Sequence, residues 1–203
     1  MKVLGIDPGT AVVGYGVVEP VSGHLARLVE CGVLQTQARD PLPARLAVIY
    51  EGIESLIARH RPDAVAVETA FYGKNVRTTM VLSHARGVIL LAAERAGVAI
   101  GEYEPRLVKK TVVGRGGALK DQVGFMVAQL LRLKAPPSPA DAADGVAVAL
   151  THLLLARTGG PAARVGGPAS GRVGGLAGRP VAAGPAVSSS GRDAPEAIGR
   201  RGA

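Results

Sequence analysis

Hydrophobic positions change period along this chain, and each change predicts an element. Residues 2–6 form a short β-type apolar run, residues 14–18 another and residues 26–34 a third, with turn residues at Pro8-Gly9 and Ser22-Gly23 between them. Three short runs with tight breaks predict an antiparallel meander. Over residues 42–59 the period switches. Leu46, Ile49, Tyr50, Ile53, Leu56 and Ile57 recur at three- and four-residue spacing, one face of an amphipathic helix that Pro62 ends. Residues 64–67 are apolar without alternation, as in a strand buried on both faces, and Glu68 follows directly. The pattern predicts further helices over 78–96, 120–133 and 139–156, with a short strand over 98–102.

The resulting order, βββαβαβα, predicts an α/β protein with a mixed central sheet flanked by helices, and matches the RNase H-like arrangement. The patterning stops near residue 157. Residues 158–203 are rich in Gly, Ala, Pro and Ser and hold no aromatic residue, so they cannot build a core and are expected to form a disordered tail behind a single domain of residues 1–157.

Composition narrows the setting. The single cysteine, Cys31, excludes an intrachain disulfide, and no Cys/His spacing suggests structural zinc. No segment approaches the roughly 18 consecutive apolar residues of a membrane span. The N-terminus lacks the charged region and small-residue cleavage site of a secretion signal. A soluble protein of the reducing cytoplasm, without a membrane partner, is expected. The net charge of +8 points to an anionic partner. Seven arginines and two acids lie beyond Ala156, however, which leaves only about +3 on the rest.

Candidate chemistry comes from four carboxylates. Asp7 ends the first predicted strand, before Pro8-Gly9-Thr10, where aspartate is also ordinary turn chemistry. Glu68 ends the buried strand, where a charged residue commonly meets solvent. Asp141 and Asp144 are harder to explain by structure alone. With Ser138 as N-cap and Pro139 in the first turn, the helix dipole welcomes one acid. Two at i and i+3 share a face and repel, and their flanks, Ala140, Ala142, Ala143, Val146 and Ala147, are apolar. If neighbouring strand ends bring Asp7 and Glu68 together and the last helix packs across the sheet, four carboxylates converge. Their repulsion is relieved by hard divalent cations with oxygen ligands, Mg²⁺ or Mn²⁺. A pair of such ions about 3.5–4 Å apart serves in-line phosphoryl displacement.

Four segments carry a more specific signal. GIDPGTAVVGYGVVE at the start, VAVETAFYGKN in the middle, KKTVVGRGGALK further on and PADAADGVAVALTH near the end resemble, in order and spacing, the RuvC Holliday-junction resolvases. The resemblance covers residues 1 to about 155. It implies an RNase H-like fold, a homodimer with two active sites, paired nicks at a four-way DNA junction and products with a 5′-phosphate. It also implies that Asp7, Glu68, Asp141 and Asp144 are the catalytic, metal-holding acids, with two Mg²⁺ (or Mn²⁺) ions per site. Phe71 falls on the family's base-stacking phenylalanine, with Tyr72 beside it, although two aromatics after a strand are more often core. An exposed ring can stack on an unpaired base.

Lys109, Lys110, Arg115 and Lys120 cluster around the Gly-rich turn 114–117 and suit phosphate contacts. Lys109 and Lys120 match basic DNA-contacting positions of the family, and Lys74, with Arg77, is a further DNA-binding candidate. A branch-migration partner, the RuvA–RuvB complex, is a family expectation. His152 is read as structural. Two other readings stay open at this point. Gly5-Ile6-Asp7-Pro8-Gly9-Thr10 also resembles the first phosphate loop of the actin and sugar-kinase superfamily, which needs two such halves, and a junction-binding protein without chemistry would use the basic cluster alone.

Overall fold

Side-chain alternation along β1 (Val3–Asp7) sets the architecture, because the strand is central and buried on both sides. Val3 packs into one core layer, while Leu4 and Ile6 pack into the other. The computed structural model describes residues 1–69, 76–158 and 163–164, all within one compact unit spanning Met1–Ser170.

Strands β2 (Val12–Val21) and β3 (His24–Gln35) continue from β1 as the predicted antiparallel meander. On its other edge β1 pairs in parallel with β4 (Ala64–Glu68), which pairs in parallel with β5 (Ala99–Tyr103). A two-residue strand β6 (Ala163–Arg164) adds antiparallel to β5, giving the sheet order β3-β2-β1-β4-β5-β6. That short pairing falls inside the segment expected to be a tail. The rest of the segment, residues 159–162 and 165–203, lies outside the described residues.

Helices α1 (Leu42–His60) and α2 (Val76–Arg95) cover the face holding Leu4, Ile6, Val65, Val67 and Ile100. The apolar face predicted for α1 is the one buried, through Ile49, Ile53, Leu56 and Ile57. The opposite face, with Val3, Ala66 and Tyr103, is covered by α3 (Pro105–Val113), α4 (Lys120–Leu131) and α5 (Ala140–Arg157). Among the described residues no helix is long and apolar enough to cross a membrane.

Three expectations need correction. The strands of the meander extend further than predicted, to Val12–Val21 and His24–Gln35, because pairing with a neighbour carries polar residues such as Glu19, His24 and Gln35 into the ladder. Helix α3 was not anticipated. It is only nine residues long, starts on Pro105 and stops at Gly114, whose φ of 90° ends it in the left-handed region. Finally, the cap of α5 falls on Pro139, with no side-chain cap hydrogen bond, so Ser138 does not cap it.

Helix α5 lies unusually close to the sheet. A Cβ on Gly5 would sit 2.3 Å from the amide nitrogen of Ala149 and the carbonyl oxygen of Gly145, and one on Gly145 would sit 2.5 Å from the Cα of Tyr15. Glycine on both surfaces brings backbone against backbone. From Ala142 to Leu153 every residue of α5 except Asp144 is buried.

One ion pair crosses the layers on the other face. Glu102 of β5, 7% exposed, accepts a hydrogen bond from the Arg86 guanidinium of α2. Glu102→Ala would leave that guanidinium without its counterion. It is expected to destabilise the fold by about 2 kcal/mol, below the 3–5 of a fully buried pair because Arg86 keeps some solvent. Denaturant unfolding measures this, and a change of under about 0.5 kcal/mol would show that the pair carries no weight.

Candidate active site

Asp7 and Glu68 are brought together by sheet register. Ile6 pairs with Val67 in the parallel β1/β4 ladder, so the next residues, Asp7 and Glu68, leave the sheet at adjacent strand ends. Asp7 is also paired across the antiparallel ladder with Gly14. A Cβ on Gly14 would lie 1.9 Å from the carbonyl oxygen of Asp141. The bare backbone of Gly14 therefore lets the first turn of α5 rest on β2 directly opposite Asp7. Carboxylate oxygens of Asp7, Asp141 and Asp144 all come within 4.8 Å of one another. Glu68 stands outside this trio, yet near enough for the charges of Asp7 and Asp144 to act on it.

Burial and like charge act on these groups together. Burial, then repulsion from Asp144, raises the Asp7 carboxyl to about 7. Burial, then repulsion from Asp7 and Asp144, raises Glu68 to about 8. Asp144 is also raised, chiefly by burial, against the pull of Lys120. Carboxylates held at such values lack a sufficient counter-charge. An all-oxygen donor set of this kind is suited to a hard divalent cation.

The basic residues take graded positions. Lys120, the first residue of α4, donates to Asp141 Oδ1 at 3.0 Å and to Asp144 Oδ2 at 2.7 Å. Lys109 of α3 is near enough to favour the ionised forms of Glu68 and Asp144. Lys110 is exposed at the end of α3. Arg115, in the exposed turn beyond it, donates to Gln122 Oε1 at 2.9 Å. Phe71, Tyr72 and Lys74 lie outside the described residues, as does the side chain of Arg77.

Two features escaped the sequence reading. The direct engagement of Lys120 with the acids depends on the Gly-rich turn returning α4 to the N-terminus of α5, which no local pattern reveals. Arg45 of α1 donates from Nε to the Thr10 carbonyl at 3.0 Å, and Thr36 Oγ1 donates to the same oxygen at 2.5 Å. Together they brace the turn that follows Asp7. An arginine on the polar face of an amphipathic helix gives no signal of this. His152 is structural, as expected: it is buried, shares a 2.7 Å hydrogen bond with the Tyr103 hydroxyl, and burial pushes its pKa down.

The raised carboxyls make metal-free stability pH-dependent. In the folded state Asp7 and Glu68 keep protons up to about 7 and about 8, whereas the unfolded chain releases them near pH 4. The folded state binds more protons across that window, so its stability falls as pH rises through it. In EDTA, Tm is expected to drop by about 5 °C or more between about pH 5 and 8.5, and Mg²⁺ should recover most of the loss at the upper end. A Tm that rises over this range in EDTA would contradict the assignment.

An RNase H-like sheet with acids gathered at the ends of its two central parallel strands places the protein among the phosphoryl-transfer proteins of that fold. Comparison with known proteins makes this specific. Residues 3–152 match the family model described as crossover junction endodeoxyribonuclease RuvC. The enzyme of that name from Brevibacillus brevis is 50% identical over 152 residues, covering 75% of this chain and 91% of the relative. That from Chloroflexus aurantiacus is 49% identical over 158 residues, covering 78% and 96%. Among solved structures, Thermus thermophilus RuvC superposes with a TM-score of 0.73 at 38% identity, covering 78% of this chain and 97% of that one. The same protein in complex with a Holliday junction substrate gives 0.71 at 36% identity, with the same coverage. The chain belongs to the RuvC family of crossover junction endodeoxyribonucleases. The kinase-like and non-catalytic readings are not favoured.

Proposed function

We propose that this protein resolves four-way DNA junctions during homologous recombination and repair, by paired symmetric nicks that leave 5′-phosphate ends, with Asp7, Glu68, Asp141 and Asp144 as its catalytic metal ligands. The observation that carries the residue assignment is the approach of Asp7, Asp141 and Asp144 to within 4.8 Å beside Glu68. Two Mg²⁺ ions (or Mn²⁺) bound there would supply an activated water and charge stabilisation at the scissile phosphate.

The protein's own groups do the rest. Asp7 would help hold both ions, Glu68 one of them, and Asp141 with Asp144 the other. The Arg45 and Thr36 brace keeps the Asp7 turn in place. Lys120 and Lys109 stand at the cluster, and with Lys110 and Arg115 of the same segment they would offer cationic groups to the phosphates on either side of the cut. Phe71, with Tyr72 and Lys74, would meet the junction centre, where an aromatic ring stacks on an unpaired base; support for these three comes from sequence alone. The working unit would be a homodimer acting in the cytoplasm beside a RuvA–RuvB branch-migration complex. Residues 1–157 would form the nuclease and residues 158–203 a tail.

A labelled synthetic four-way junction, incubated with and without divalent metal, tests this reading. The expected result is two nicks at symmetric positions in opposed strands, only with metal. Metal-independent cutting, or ATP hydrolysis with no DNA cleavage, would overturn it.

A further inference from the structure

We propose that Lys120 is an internal counterion that occupies the Asp141/Asp144 half of the metal cluster in the DNA-free enzyme and has to be displaced before a metal ion binds there. The inference rests on reading those acids as metal ligands. The cluster is uneven. Its Asp141/Asp144 half already holds a cation, since the Lys120 ammonium takes one oxygen from each carboxylate, at 3.0 and 2.7 Å. Its Asp7/Glu68 half has no direct hydrogen bond to a cation among the described residues.

A divalent ion bound to the oxygens that Lys120 uses would stand about 2.1 Å from them. The ammonium, held at hydrogen-bond distance from the same oxygens, would then lie within a few ångströms of a doubly charged ion in a partly buried site, where repulsion is poorly screened. Metal and ammonium therefore exclude one another. The lysine is built to leave. Lys120 is the first residue of α4, its side chain is 52% exposed, and those of Asp141 and Asp144 are 41% and 20% exposed. A change of rotamer carries the ammonium outward with no movement of the backbone.

Two consequences follow. Ions bind in sequence, the first to Asp7 and Glu68 and the second only by ejecting Lys120. DNA favours the second ion, because a backbone phosphate accepts the released ammonium. Lys120 thus links loading of the second ion to the presence of substrate, and Lys120 acts as a positioning residue for metal as well as a contact for DNA.

Mn²⁺ titration of the DNA-free full-length protein, followed by the loss of the free-ion electron paramagnetic resonance signal, reads this directly. Lys120→Met is expected to tighten the weaker Mn²⁺ site about tenfold, the scale of one charge-assisted hydrogen bond no longer broken. Lys109→Met removes an equal charge near the same acids, without a direct contact, and is expected to tighten it by no more than about threefold. Lys120→Arg keeps a cation in place and should stay within about threefold of the parent protein. Adding a non-cleaved junction should tighten the weaker site more in the parent than in Lys120→Met. Equal effects of Lys109→Met and Lys120→Met would reduce Lys120 to general electrostatics and overturn the proposal, as would weaker binding by Lys120→Met. Asp144→Asn separates the two layers of inference. If it leaves Mn²⁺ binding unchanged, the ligand assignment itself fails. If it weakens binding while Lys120→Met does not tighten it, only the displacement of Lys120 fails.

Discussion

Replacing Asp7 by asparagine is expected to lower the cleavage rate of a four-way junction by roughly 10³-fold or more, the loss of several kcal/mol of transition-state stabilisation, while junction binding stays within about threefold. Asparagine keeps the shape of the side chain and removes only the charge. Asp7 lies where β1 leaves the sheet, within 4.8 Å of Asp141 and Asp144 and coupled to Glu68, so no other carboxylate can substitute for it. On the proposed reading phosphate binding would depend instead on the lysines, which stand on α3 and α4. The fold should tolerate the change well: a carboxyl raised to about 7 mainly by burial is costly to ionise, and the neutral amide avoids that cost. In EDTA near pH 8 the variant is expected to melt at the parent's temperature or above it. Gel-shift, cleavage and melting measurements on one preparation separate these effects. Retained cleavage, or binding lost in step with cleavage, would sink the assignment.

The second large effect concerns packing. Gly5→Ala is expected to destabilise the protein by about 3 kcal/mol or more, lowering Tm by roughly 10 °C, and to reduce cleavage in the fraction that still folds. The added methyl would meet the backbone nitrogen of Ala149 and the backbone oxygen of Gly145 at 2.3 Å. Neither atom can rotate away, so α5 itself has to move off the sheet. That helix carries Asp141 and Asp144, whereas β1 carries Asp7, and any shift between them opens the cluster. Gly117→Ala is the control, since nothing lies within 4 Å of its added carbon; it should change stability by under about 0.5 kcal/mol. If both variants melt alike, the close approach of α5 to β1 is not under the constraint described.

Much of this was legible in the chain because it is written locally. The three- and four-residue spacing from Leu46 to Ile57 marks the buried face of α1, and the unbroken run before Glu68 marks a strand covered on both sides. The Asp141/Asp144 pair on an apolar helix pointed to a cation, and the structure places a cation there, though it is the Lys120 ammonium. What stayed hidden is non-local. The pairing of Arg86 with Glu102, the Arg45 brace and the return of Lys120 to α5 each join residues far apart in sequence. Helix α3 was missed for another reason. Nine residues with two lysines near the end read as a basic patch before a glycine turn, too short for periodicity to speak. Gly14 was read only as the edge of a strand, and its role as the seat for Asp141 depends on packing between layers.

The acids are spread over β1, β4 and α5, the first strand and the last helix among them. Synthesis runs from the N-terminus, so Asp7 leaves the ribosome well before Asp144. Until α5 has emerged and seated its glycine on β2, the nascent chain has no assembled acidic cluster. On the proposed reading, an incomplete copy that lacks α5 would therefore be unable to hold metal between β1 and α5.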